Sequence, residues 1–474
     1  MKNLLIYIFV AFAALAGMTS CIEDGYVTSA DAQPVFSVDT LRMGTFFTGD
    51  VTPTYKFMVY NRHDKIMTLS SITLREGGGE GIFRLNVDGI SGKSFTNIDI
   101  RPNDSIFVFV EATIPVNDDV LPHGVEDKVD FITNGVTSTV VLSAVGQDVD
   151  RRRGLVIDRD TRLDAEMPYQ IFDSLIVARD ATLTLGPGVK LHFHDKARMR
   201  VDGTLVTLGT PEAPVELSGD RTDNVVGSIP FDLMASQWAG LVFSTTSHDN
   251  SMTHTVVRNT SYGVVLDSIP SRADGVPALY MLNCRLRNSA GYSLESHHSD
   301  ITAIGCEIAE ASAGVMYLRG GSHVFNHCTI ANYYLFTALG GPAVQLSHFN
   351  ADSDDRSGMP MMKATFANTI IYGNGTDMAA DLTGSAVYLR RCLFKSRDED
   401  DENFIDCLWD VDPLYYTVRE DYIFDYRLRP ESPAIGAGYA WLTDPRYVAD
   451  WYGRPVSTSA PDLGAYTYDP SLGE

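Results

Sequence analysis

The sequence predicts an all-β protein, a small antiparallel β-sandwich followed by a parallel β-helix solenoid, on two observations. Between Ala278 and Asn332 the phrases ALYMLNCRLRN, DITAIGCEIAE and HVFNHCTIAN follow one another. Each is a short alternating strand leading into a cysteine, an aliphatic residue two positions on and usually Asn two further. Cys284, Cys306 and Cys328 are therefore spaced 22 and 22 residues apart, and a fixed recurrence of strands and turns without helical periodicity marks a solenoid. The second observation is the stretch from Val35 to Val145, where YKFMVYN and SIFVFVEATI alternate apolar with polar residues. Turn signals at Gly77-Gly78-Gly79, Asp88-Gly89, Pro102-Asn103-Asp104 and Asn134-Gly135 part such runs, the pattern of a seven-stranded sandwich.

In chain order, Met1 to Ser20 carries Lys2, the apolar run LLIYIFVAFAALAG and small residues before Cys21. That is a secretory signal, too short and too near the terminus for a membrane span. The ending MTSC resembles a bacterial lipobox, which implies cleavage before Cys21 and lipidation of its thiol and new amine, with processing by an ordinary signal peptidase as the alternative. Ile22-Glu23-Asp24 resembles the export signal of Bacteroidetes-type lipoproteins, which implies a lipid anchor in the outer membrane facing the cell surface; a solvated acidic leader on a periplasmic lipoprotein is the alternative. Residues 30–147 form the expected sandwich. TNGVTSTVVLSAVGQ, after VYNRHDKIMTLSSITL and GIFRLNV, resembles the immunoglobulin-like domains of bacterial surface proteins, which implies a spacer. Gln147 to Gly154, with Arg151-Arg152-Arg153, reads as a polar joint.

Residues 155–428 are the expected solenoid, of nine or ten coils on this period. Leu183 and Leu185, Val189, Leu191 and Phe193, then Met199 and Val201 give apolar faces turned at Gly186-Pro187-Gly188 and Asp202-Gly203, and such coils need neighbours to bury them. Arg221 to Gln237, Asp267 to Pro277 and Gln345 to Met362 break the period and are expected to project beside a lateral groove. PGVKLHF, VDGTLVTLGTPEAPVELSGDR, QWAGLVF and GGSHVFNHCTIANY resemble the uncharacterised right-handed parallel β-helix surface lipoproteins of Bacteroidetes, over about Leu155 to Tyr468. The resemblance implies a pectin lyase-like fold and brings no activity with it. Residues 429–474, rich in proline at Pro430, Pro433, Pro445, Pro455 and Pro461, are expected to cap the last open edge, because proline offers no amide to a continuing sheet.

Lys+Arg 37 against Asp+Glu 61 leaves a net charge of −24, which repels nucleic acid and excludes it as a partner. The pattern specifies no oligomeric state. Cys284, Cys306 and Cys328, at one repeat position, read as a buried column of free thiols; Cys392 and Cys407 are left open as a pair. Asn259, Asn288 and Asn332 share another position, with Glu310 in the middle copy, and suit a left-handed corner between sheets. Gly263, Gly291 and Gly314 follow at the next bend.

For chemistry, the sequence contains neither the Gly-His-Gly of polygalacturonases nor the Arg-x-Pro-x-x-Arg of pectate lyases. A lyase needs carboxylates gathering Ca²⁺ and a cationic base, and an inverting glycosidase two separated carboxyl groups. Asp352, Asp354 and Asp355 are the best oxygen cluster for Ca²⁺, against a plainly solvated insertion, and Asp398 to Glu402 is an acidic run. His192 and His194 share the outer side of one strand, while His297 and His298 would face opposite ways. Trp238, Trp409, Trp441 and Trp451 are either sugar platforms or core. The leading expectation is non-catalytic binding of a polysaccharide or surface partner; a lyase or glycoside hydrolase acting on an acidic polysaccharide is the alternative.

Overall fold

The computed structural model describes residues 25–77, 79, 81–226, 229–347, 362–380, 382 and 385–473. The chain divides into compact units at Asp148/Val149, and both are all-β. Cys21, Asp352, Asp354 and Asp355 lie outside the described residues.

In the first unit the alternating runs pair as two five-stranded sheets. Tyr55–Tyr60 pairs antiparallel with Ser105–Ala112, setting Phe57 opposite Val108, and the residues this turns inward, Phe57, Val59, Val108 and Val110, are buried in one core with Phe131 and Leu142 of the other sheet. That makes ten strands among the described residues, not seven. Val35–Phe36 and Ile90–Gly92 are too short to show alternation, and Thr40–Phe47 pairs in parallel with Val136–Gln147, a contact no hairpin turn announces.

The second unit consists mainly of long parallel sheets. It begins earlier than expected: the arginine triplet lies in a strand, Asp150–Ile157, paired in parallel with Tyr169–Val177. Arg151 donates to Gln170 at 2.9 Å and Arg153 meets Asp173 at 3.0 Å, so these side chains, though exposed, find partners on the neighbouring strand.

From Lys190 onward the chain visits three parallel ladders in turn. The first runs from Lys190–Phe193 through Val215–Gly219, Thr255–Arg258, Arg285–Arg287, Glu307–Ala309, Thr329–Asn332 and Ile370–Gly373 to Leu393–Phe394. The second includes Arg198–Val201, Tyr292–His297, Gly314–Arg319 and Val344–Ser347, and the third includes Leu279–Leu282, Ile301–Ile304, Ser322–Asn326, Lys363–Ala367 and Ala386–Arg390. Like residues align: Leu286, Ile308, Ile330, Ile371 and Phe394 are successive partners in the first ladder, and Met281, Ala303, Phe325, Phe366 and Leu389 in the third. All are buried in one core, where removal of apolar side chains from water stabilises the unit.

Cys284, Cys306 and Cys328 stand just before the paired residues Arg285, Glu307 and Thr329. They are free and fully buried, and the Cys284 amide donates to the Cys306 sulfur at 3.4 Å. Cys392 and Cys407 occupy the same position in the last coils, as free thiols. The corner expected at the asparagines holds for Asn259 and Asn288 and for Glu310, with φ of 67°, 56° and 52°. Asn332 departs from it. It stays extended as the last residue of Thr329–Asn332, and its amide group donates back to the Ala311 carbonyl at 2.8 Å.

A second left-handed corner precedes the cysteine column: His254, Asn283, Gly305, His327 and Asn368 all have φ between 41° and 61°. Along it runs the end of the chain. Instead of capping the last coil, the C-terminal segment turns back on the flank of the first ladder. Asn368 donates to the Tyr439 carbonyl at 3.0 Å, Asn326 to Leu442 at 2.8 Å and Asn283 to Ala449 at 3.0 Å, so the segment retraces several coils. The reason is apolar area: Ala309, Ala331, Ile370 and Leu393 face outward there and are buried beneath Tyr415, Tyr426, Leu428, Trp451 and Leu463. At the last coil the aromatic group Phe394, Phe404 and Trp409, with ring centroids 4.5 to 5.8 Å apart, sits instead.

Candidate functional site

Period and register together create a cleft on the outer face of the first ladder. Because Val256 pairs with Arg285 and Arg258 with Arg287, arginines of neighbouring coils project side by side, and Glu307 lies one coil on from Arg285. The insertion after Gly219 contributes Asp232 and Leu233 to the other wall. The result is a cavity of about 230 Å³ lined by Glu216, Asp232, Leu233, Val256, Arg258, Arg285, Arg287 and Asn288.

Its charges are arranged in pairs. Arg258 binds Glu216 at 2.7 Å through one nitrogen and Asp232 at 2.7 Å through another. Arg287 grips both oxygens of Glu307, whose side chain is 1% exposed, and the Tyr466 hydroxyl donates to the same carboxylate. Burial alone would raise these acids, but the facing guanidinium groups outweigh it and hold Glu216 and Glu307 below the ordinary carboxylate value. Such pairs withstand burial only because each charge has its counter-charge and hydrogen bonds.

Behind this layer Glu310 behaves oppositely. Burial pushes it up to about 8; Tyr426 donates to one oxygen, while the other has no partner among the described residues. The insertion wall is fixed by the corner asparagines: Asn259 donates to the carbonyls of Asp232 and Met234 at 2.6 and 3.0 Å, and Asn288 to that of Leu233 at 2.8 Å. Asn259 and Asn288 thus anchor the cleft wall, and among the described residues no hydrogen bond joins one to the other.

Other singled-out residues are dispersed. His192 is buried, not exposed beside His194: its Nδ1 lies 3.1 Å from Ser218 Oγ and burial lowers its pKa. His194 pairs with Asp220 at 2.7 Å. His297 meets Glu295 at 2.9 Å, whereas His298 has already turned the corner at φ 55°. Trp238 is core, stacked on Phe193 at 4.1 Å; Trp409 stacks on Phe394; Trp441 is exposed. Trp451 is buried in the C-terminal cluster and packs on a cleft residue, with the Arg285 guanidinium 4.3 Å from its ring centre. Among the described residues no group of three or more His, Cys, Asp or Glu is placed to hold a metal. Sequence reading passed over Arg258, Arg285, Arg287 and Glu307; the signal was RLR followed one period later by EIA.

No family model matches the chain, and no curated protein does. Three solved structures align in part. A Porphyromonas gingivalis protein of unknown function is 16% identical over 24% of this chain and 49% of its own, with a TM-score of 0.18. A family 123 glycoside hydrolase of Clostridium perfringens, solved to study glycolipid glycan hydrolysis, is 11% identical over 26% of each chain at 0.19. The PapD-like domain 7 of human CEP192 is 9% identical over 25% of this chain and 85% of its own at 0.18. The chain thus spans about half of the first and a quarter of the second. Alignments this partial and this loose transfer neither fold nor activity.

Proposed function

We propose that the chain is a lipoprotein anchored through Cys21 in an outer membrane, facing the cell surface, with an immunoglobulin-like spacer. Its second unit is read as a right-handed parallel β-helix that holds a glycan, without catalysis, in the cleft of the first ladder. One observation carries this reading: Glu216 in the cleft and Glu307 beside it are tied to arginines that hold both below the ordinary carboxylate value, so neither supplies the raised acid that glycosidic cleavage needs. A concave, partly apolar site with a few fixed polar groups is a binding arrangement. The register of like residues, coil upon coil, supports the helix.

Incubating the mature protein with acidic and neutral polysaccharides, with and without Ca²⁺, tests it. Retention without new reducing ends or unsaturated products is expected; turnover would overturn the binding reading in favour of a lyase or hydrolase. Cys21→Ser should release the protein from membranes, and continued membrane fractionation would refute the anchor.

A further inference from the structure

The three arginines of the cleft differ in what they have left to offer. Arg258 spends its fork on Glu216 and Asp232. Arg287 spends its own on Glu307, with a 3.4 Å contact to the Phe424 carbonyl. Arg285 has only Nε engaged, donating to the Tyr466 hydroxyl at 2.8 Å; the nearest Glu307 oxygen is 3.9 Å away. Among the described residues no hydrogen bond takes its two terminal nitrogens, although its side chain is only 17% exposed and lines the cleft. Its plane is nevertheless fixed: the guanidinium lies 4.3 Å from the Trp451 ring centre and 5.2 Å from those of Tyr452 and Tyr466. A guanidinium immobilised by stacking keeps its in-plane donors free and has already lost the rotamer freedom that binding would otherwise remove.

We infer that Arg285 is a specificity-determining residue that docks the carboxylate of a uronic-acid residue, gripped by its two free nitrogens in the cleft. This rests on the glycan-binding reading and names the class of glycan. The paired fork matches a planar carboxylate and has no equivalent partner in a neutral sugar's primary alcohol. Glu216 and Asp232 line the same cavity, and each has one oxygen with no hydrogen bond among the described residues, which would accept ring hydroxyls. At about 230 Å³ the cavity is smaller than the roughly 300 Å³ at which drug-sized pockets begin, so it takes one sugar residue, from a chain end or branch. Formal charges of Arg258, Arg285 and Arg287 balance Glu216, Asp232 and Glu307 locally, in a chain of net charge −24, which makes this a place where a polyanion can approach.

Calorimetric titration of the mature protein with homogalacturonan oligomers, their carboxyl-reduced counterparts and acetate tests it. We expect the acidic oligomers to bind about tenfold or more tighter than the reduced ones, acetate to compete poorly, and Arg285→Gln to abolish the preference while leaving residual binding. Arg285→Lys should not restore it, because an ammonium lacks the fork. Phenylglyoxal labelling of the wild-type protein, read by peptide mass, avoids any folding defect: Arg285 should be protected by acidic oligomers and not by reduced ones. Equal binding of the two oligomers, a preference that survives Arg285→Gln, competition by acetate as strong as by the oligomer, or unprotected Arg285 would overturn the inference while leaving glycan binding intact. Failure of both oligomers to bind would overturn the glycan reading and this inference together.

Discussion

The first and third ladders have the same interior and opposite exteriors. Inside, the Leu286, Ile308, Ile330 column and the Met281, Ala303, Phe325 column are equally buried. Outside, the third ladder shows Tyr280, Thr302, Val324, Thr365 and Tyr388, with Val324 37% and Tyr388 39% exposed. The first ladder shows Arg285, Arg287, Glu307, Ala309 and Ala331, and the C-terminal segment covers them. A parallel strand alternates by geometry alone, so one face is always buried. Whether the other is buried depends on distant chain, and a covered face can hold paired charges that a bare one would leave to water. The cleft exists only at the margin of that cover.

The comparison breaks most sharply at Glu307. Glu307→Ala strands Arg287 beneath the C-terminal segment, and urea denaturation should show a loss of about 3–5 kcal/mol. Next is Gly305, whose φ is +61° and where an added Cβ would lie 2.3 Å from the Tyr447 ring. Gly305→Ala should cost about 2 kcal/mol or more, seen as faster proteolysis within 438–453 and a red shift of Trp451 emission.

Acid should destabilise the second unit, the covered face included. Burial lowers His323 and His327 to about 4. The unfolded chain therefore binds the extra protons, and stability falls as pH drops from about 6.5 through about 4. His327 lies 2.9 Å from Thr443 of the C-terminal segment, so proteolysis of that segment should rise over this window, and His327→Gln should flatten the dependence. Glu310, raised to about 8, has the opposite sign: the folded state retains the proton, and stability falls as pH rises from about 4.5 to about 8. Glu310→Gln should remove that decline in melting scans. Smallest of all, Val324→Thr on the bare third ladder should change stability by no more than about 0.5 kcal/mol.

Legibility in the sequence follows the same division. The cysteine column could be read because three equal residues recur at one spacing. Asn259 and Asn288 were legible as left-handed corners because the residue type states the backbone angle; Asn332 was not, since its side chain found a partner that removed the need to turn. The second corner was hidden by its variety, His254, Asn283, Gly305, His327 and Asn368, each satisfying a positive φ by different chemistry. His192 looked exposed because alternation reports the side of a strand and not what lies over it. Of the site, Trp451 was among the aromatics singled out, but its partner Arg285 was not, because an outward arginine is ordinarily solvated.

Residue spacing alone determined that strands of 22-residue phrases stack in parallel with like on like, because those contacts join each coil to the next and the pattern repeats within that span. The tertiary structure alone decided which outer face is covered, that the last residues lie along a flank, and that three arginines acquire different obligations. Those outcomes rest on pairs such as Asn326 with Leu442 and Arg285 with Tyr466, 116 and 181 residues apart, a range over which no local period carries information.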